Sequence, residues 1–142
     1  MAVRPFHLLL VEDNGAHAKL AIMAIRGAPI PATVDRVVDG QEALAYLTRQ
    51  PPHQARPDVD LILLDLKAQR MDGLDLLRRI KATQELQSVP VVILSSSVSQ
   101  VQAEQAYRCR ANSLLVKPLE FDDFQRMMND LLIYWGQWNR QG

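Results

Sequence analysis

Four short aliphatic runs in this chain each stop on a residue that carries a charge or a hydroxyl. His7-Leu8-Leu9-Leu10-Val11 runs into Glu12-Asp13, Leu61-Ile62-Leu63-Leu64 into Asp65, Val91-Val92-Ile93-Leu94 into Ser95, and Leu114-Leu115-Val116 into Lys117. Short aliphatic runs bounded by polar turns read as strands buried on both faces of a parallel sheet. In open sheets of that kind, ligands bind outside the carboxyl ends of the strands. Such a fold therefore collects three carboxylates, one hydroxyl and one amine at a single edge.

The other runs of the pattern support this architecture. Strands are expected to centre near residues 9, 35, 62, 92 and 115, each followed by a helical segment. Asn14 can cap a first helix that carries Ala16, Leu20, Met23 and Ala24 on one face, broadened by Ile22 and Ile25, before Gly27 and Pro29 stop it. Thr33–Val38 reads as a strand, Gln41–Arg49 as a helix, and residues 51–57, with three prolines, as a loop. Leu74, Leu77 and Ile80 mark one stripe of a helix over residues 71–81, and Pro90 opens the fourth strand. Residues 99–108 form a mostly polar helix, and Phe121, Phe124, Met128, Leu131, Trp135 and Trp138 keep helical spacing almost to the end of the chain. Alternating strands and helices predict a doubly wound α/β fold with right-handed crossovers. The common five-stranded order is 2-1-3-4-5, whose switch point puts Glu12-Asp13 beside Asp65.

Composition removes several function classes. The chain has 142 residues, enough for one domain that buries roughly two-thirds of its unfolded surface. Sixteen Lys and Arg balance sixteen Asp and Glu, so direct nucleic-acid binding is not expected. No apolar stretch approaches the ~20 residues that cross a bilayer, and Glu12-Asp13 interrupts the N-terminal run before it could form a signal-peptide core. A soluble cytoplasmic protein is expected. Cys109 can form no internal disulfide, and it reads as a small filler near a helix end.

Three converging carboxylates repel one another unless a cation stands among them. Oxygen donors without His or thiolate select a hard ion, Mg²⁺ for phosphoryl chemistry. Asp65 is ionised at neutral pH and needs no base to act as a nucleophile. Ser95 offers a hydrogen-bond donor and Lys117 a point charge to phosphoryl oxygens. Each feature alone has a bland reading: helix capping for Glu12-Asp13, a solvated strand end for Lys117, a simple turn for the serines. Their joint occurrence, each at the end of its own strand, points to formation of an aspartyl phosphate.

These residues resemble the receiver domains of two-component response regulators, flavodoxin-like in fold, and the likeness runs over essentially the whole chain. Leu8 to Asn14 is similar to the family's first strand with its acidic pair, Leu63 to Leu66 followed by Met71-Asp72-Gly73 to its phosphoacceptor segment, Pro90 to Ser95 to its Ser/Thr strand, and Val116-Lys117-Pro118 to its lysine strand. The resemblance implies that Asp65 is the phosphoacceptor, that Asp13 is a direct Mg²⁺ ligand with Glu12 acting through water, and that the backbone carbonyl of Lys67 is a further ligand. It also implies a cis Lys117–Pro118 bond and a sensor histidine kinase as phosphoryl donor. The Pro-rich insert, Arg110-Ala111-Asn112-Ser113 and the long last helix with Tyr134-Trp135 are most similar to single-domain receivers that partner phytochrome kinases. By that likeness residues 1–142 are one receiver domain, core about 6–130 with a C-terminal extension over about 131–142 and no output domain.

The chain departs from the family at three points. Lys67 and Gln69 stand where Asn and Pro are usual, so a cation lies close to the acceptor and could shield its phosphate. Leu114 replaces the aromatic that many receivers use as a switch. A receiver-like docking module that works without phosphorylation is the alternative that Lys67 favours. A haloacid-dehalogenase enzyme would need a carboxylate where Lys67 stands. A flavin carrier would want a phosphate-cradling loop where Glu12-Asp13-Asn14 stands. Leu131, Tyr134, Trp135 and Trp138 extend an apolar stripe past what the sheet needs, so a homodimer built on the last helix is expected.

Overall fold

A computed structural model describes residues 4–65, 73–96 and 100–139. Phe6–Val11 (β1), Ala32–Val37 (β2), Leu61–Asp65 (β3), Val91–Ser95 (β4) and Ser113–Val116 (β5) form one parallel sheet in the order β2-β1-β3-β4-β5. Strand centres and order are those expected from the aliphatic runs. All five residues of β3 and of β4 are buried, as strands covered on both faces must be.

Successive strand residues face opposite sides. Leu8 and Leu10 join one apolar cluster with Ala18, Ala21 and Ala24 of α1 (Gly15–Arg26) and with Phe124 and Met128 of α5 (Phe121–Ile133). Leu9 and Val11 join the other, with Leu47 of α2 (Gly40–Leu47), Leu77 and Ile80 of α3 (Gly73–Ala82) and Ala106 of α4 (Gln100–Arg108). Capping fixes where helices begin. Asn14 accepts the His17 N–H at 3.0 Å, and Asp39 accepts the Glu42 N–H at 2.8 Å.

The inward stripe of α1 differs from the expected one. Ala18, Ala21, Ala24 and Ile25 are buried, whereas Leu20 and Met23 are 45% and 51% exposed. Small alanines let the helix lie close to the sheet and to α5, where the Gly27 end of α1 leaves a Cβ only 3.1 Å from the Gln125 side chain. The larger Leu20 and Met23 are turned outward as a result.

The last helix also differs. It ends at Ile133, and Tyr134–Trp138 forms a π-helical turn closed by the Asn139 N–H on the Tyr134 carbonyl at 2.7 Å. Gly136 permits that turn to rest on the domain, because a Cβ there would meet Ile30 at 3.3 Å and Phe6 at 3.5 Å. Leu131, expected at a dimer contact, is 6% exposed and lies in the core cluster with Met128 and Leu132. It belongs to the sheet-covering face of α5. Tyr134 and Trp138 remain exposed, and Trp135 packs partly against the core. No helix among the described residues is long and apolar enough to cross a membrane.

Candidate phosphoryl and metal site

The strand order converts four separate sequence positions into one cluster. Glu12 and Asp13 follow β1, Asp65 ends the neighbouring β3, Ser95 ends β4 next to that, and Lys117 follows the edge strand β5. Asp65 is paired with Leu94, so the Ser95 hydroxyl sits one residue beyond it on the adjoining strand. One oxygen from each of Glu12, Asp13 and Asp65 lies within 4.8 Å of the others. Glu12, Asp65 and Ser95 are buried, and Asp13 is half-buried.

Lys117 reaches back across two strands. Its ammonium donates to Glu12 Oε1 at 2.8 Å and stands 3.7 Å from Asp65 Oδ2. Burial pushes the Glu12 carboxyl up to about 7, and its hydrogen bond with Asp65 pushes the same way, while Lys117 pulls it down. Three clustered carboxylates with one ammonium beside them leave an acidic site that a further cation would balance. Its donors are all oxygens, with no imidazole or thiolate among the clustered ligands, which fits a hard divalent ion such as Mg²⁺.

Two neighbours of the site were not singled out from the sequence. His17, on the first turn of α1, has Nδ1 4.0 Å from Glu12 Oε1. Arg36, on β2, donates from Nε to the Glu12 carbonyl at 3.0 Å and from a terminal nitrogen to the Asp13 carbonyl at 3.3 Å. A lone arginine on an edge strand gives no local signal of such a bond, since it depends on the β1–β2 register. Beside the carboxylates lies a cavity of about 240 Å³ lined by Leu10, Leu63, Leu94, Phe121 and Phe124 and by Lys117.

The remaining expected features divide. Lys67, Gln69, Met71 and Asp72 lie outside the described residues, and with them the Lys67 carbonyl expected as a metal ligand. The Lys117–Pro118 bond is trans, correcting the cis expectation; the cis bond among the described residues joins Pro51 and Pro52. An X–Pro bond favours trans by about 0.5–1 kcal/mol. Here the trans form leaves Lys117 its N–H bond to the Ser95 carbonyl at 2.8 Å and its ammonium on Glu12. Leu114 is half-buried, and its N–H donates to the Tyr107 hydroxyl at 3.2 Å.

A family model for the response regulator receiver domain matches residues 8–129. This chain belongs to that family. The receiver is 39% identical over 136 residues to the probable methanogenesis regulatory protein FilR2 of Methanothrix harundinacea (strain 6Ac), covering 96% of this chain and 87% of the relative. Its fold is similar to the crystal structure of the phosphorylated cyanobacterial phytochrome response regulator RcpA, with a TM-score of 0.90 at 30% identity over 96% of this receiver and 98% of that chain. It is also similar to the Mn²⁺-bound form of response regulator Rcp1, with a TM-score of 0.88 at 29% identity over 97% and 99% of the two chains.

Proposed function

We propose that this receiver accepts a phosphoryl group on Asp65 from the phosphohistidine of a sensor histidine kinase, with Mg²⁺ held by Glu12, Asp13 and Asp65. The observation that carries the reading is the position of Lys117, whose ammonium stands against both Glu12 and Asp65 at the carboxyl edge of the sheet. In the step proposed, an Asp65 carboxylate oxygen attacks phosphorus. The P–N bond breaks, and its electron pair returns to the imidazole of the donor. Ser95 donates to a phosphoryl oxygen, and Lys117 turns from Glu12 towards the phosphoryl group. Mg²⁺ would supply the positive charge that lets an anionic donor approach an anionic acceptor.

The receiver is further proposed to act in the cytoplasm as a response regulator of a phosphorelay, signalling through protein contacts. It is proposed to form a homodimer on the side of α5 and β5. A groove there is bordered by Leu115, Met127, Tyr134 and Trp135. A phytochrome-type kinase is the proposed donor, supported by the likeness to RcpA; the likeness to FilR2 names a different process in that relative. Intact-mass measurement with acetyl phosphate tests the acceptor reading. One phosphoryl adduct that needs Mg²⁺ and is absent from Asp65→Asn is expected; no adduct with any donor or kinase contradicts it.

A further inference from the structure

The carbonyls of Glu12 and Asp13 are held by one guanidinium. Paired residues of β1 and β2 end at Val11 and Val37, and the Glu12 N–H adds one more bond, to the Val37 carbonyl at 3.0 Å. Past that point the chain leaves the sheet while carrying two adjacent carboxylates. Arg36, paired with Leu10, reaches forward over the strand end and donates to both carbonyls in turn. A guanidinium has a rigid planar fork, so two bonds from one side chain fix two successive peptide planes relative to β2. The orientation of a peptide plane sets ψ of its first residue and φ of the next, and these angles determine where each Cα–Cβ bond points. Holding both planes therefore aims the Glu12 and Asp13 side chains.

From this geometry we infer that Arg36 is a positioning residue of the acidic site: its clamp on the two carbonyls sets the carboxylate spacing and so strengthens divalent-cation binding. The inference rests on the cation reading proposed above. Electrostatics alone predicts the opposite sign, because a fixed cation near the site repels an incoming one. The two contributions can therefore be separated by substitution. Arg36→Lys keeps the charge and loses the fork. Arg36→Met loses both.

Isothermal titration with MgCl₂ should show wild type binding most tightly, Arg36→Met more weakly, and Arg36→Lys weakest, the last by on the order of tenfold, as outer partners of metal ligands typically give. Thermal melts in EDTA show that each variant is folded. Amide hydrogen exchange in EDTA supplies a readout independent of the metal: exchange at residues 12–14 should be several-fold faster in Arg36→Lys than in wild type. Arg36→Lys that binds Mg²⁺ as tightly as wild type overturns the inference. So does unchanged exchange at residues 12–14. Wild type that binds no Mg²⁺ overturns the cation reading and with it the role in metal binding, and the exchange comparison then decides whether the clamp itself exists.

Discussion

Lys117 and Glu12 form the shortest ion pair of the acidic site, at 2.8 Å against 3.7 Å for Lys117 with Asp65. Glu12 is 2% exposed, and its carboxylate oxygen takes the Lys117 ammonium at 2.8 Å. Removing one partner of a buried charge pair leaves the other desolvated and unpaired, typically at a cost of 3–5 kcal/mol. Here the cost is capped, because a carboxyl already pushed up to about 7 can take a proton instead. Lys117→Gln is therefore expected to lower stability in EDTA by only about 1–2 kcal/mol, while slowing adduct formation at Asp65 by on the order of a hundredfold through loss of charge on the phosphoryl oxygens. Denaturant titration and time-resolved intact mass measure the two effects. Equal loss of both, or a rate unchanged from wild type, contradicts the role assigned to Lys117.

At the scale of elements, β1 shows how a run can look wholly apolar and still carry a polar network. His7 is buried on the α2 side, with Nδ1 2.7 Å from the Thr33 hydroxyl and Nε2 2.8 Å from the Tyr46 hydroxyl. Tyr46 in turn donates to Asp35 at 2.5 Å. Burial holds the imidazole below its ordinary value of 6.5, a shift that the nearby Asp35 and Asp60 only partly oppose and that Arg56 and Arg4 reinforce. The unfolded chain protonates this histidine near 6.5 and the native chain does so only at lower pH, so the unfolded state binds more protons in between. Stability is present above about 6.5 and falls as pH drops below it, with a slope of up to ~1.4 kcal/mol per pH unit from this group. His7→Gln keeps donor and acceptor capacity and cannot titrate. Its melting temperature should fall less steeply than that of wild type between pH 6.5 and 5.5, and parallel curves contradict this account.

The elements also show what the sequence could convey. Strands β1, β3, β4 and β5 were legible because each is built on an aliphatic run, and the acidic cluster was legible because its carboxylates follow two such runs. The inward face of α1 was not, since Ala18 and Ala21 compete with Leu20 and Met23 for a place that hydrophobicity alone would give to the larger pair. The π-helical turn was hidden as well: Leu131, Trp135 and Trp138 keep helical spacing while the backbone widens. Arg49 and Arg56 brace the loop before β3, binding the carbonyls of residues 54 and 56 and of residues 46, 47 and 57 respectively. Bonds from a side chain to loop carbonyls leave no periodic trace. Nor does the buried ammonium of Lys81, which donates to the Gln87 and Val89 carbonyls and to Asn112 at 3.0–3.3 Å.

For the whole molecule, the exposed aromatics of the C-terminal turn are the test of association. Trp138 is 70% exposed, and Tyr134 stacks edge-on against the half-buried Trp135 at 5.1 Å. Deleting the chain after Asn129 would remove Leu131 and Leu132 from the core, so point substitutions are the sounder probe. Sedimentation should find wild type dimeric at tens of micromolar, on the order of the weak end of specific association, and Tyr134→Ser/Trp138→Ser monomeric with its melting temperature nearly unchanged. A wild type that stays monomeric there removes the homodimer from the proposal and leaves the phosphoacceptor reading intact. That reading is tested most directly by locating the phosphoryl group. Wild type treated with acetyl phosphate and Mg²⁺ is reduced with borohydride, which converts an aspartyl phosphate to homoserine, and then mapped by tandem mass spectrometry. Homoserine at position 65 is the result expected; reduction at residue 12 or 13 instead, or at no residue of a chain that does carry the adduct, would contradict the central claim.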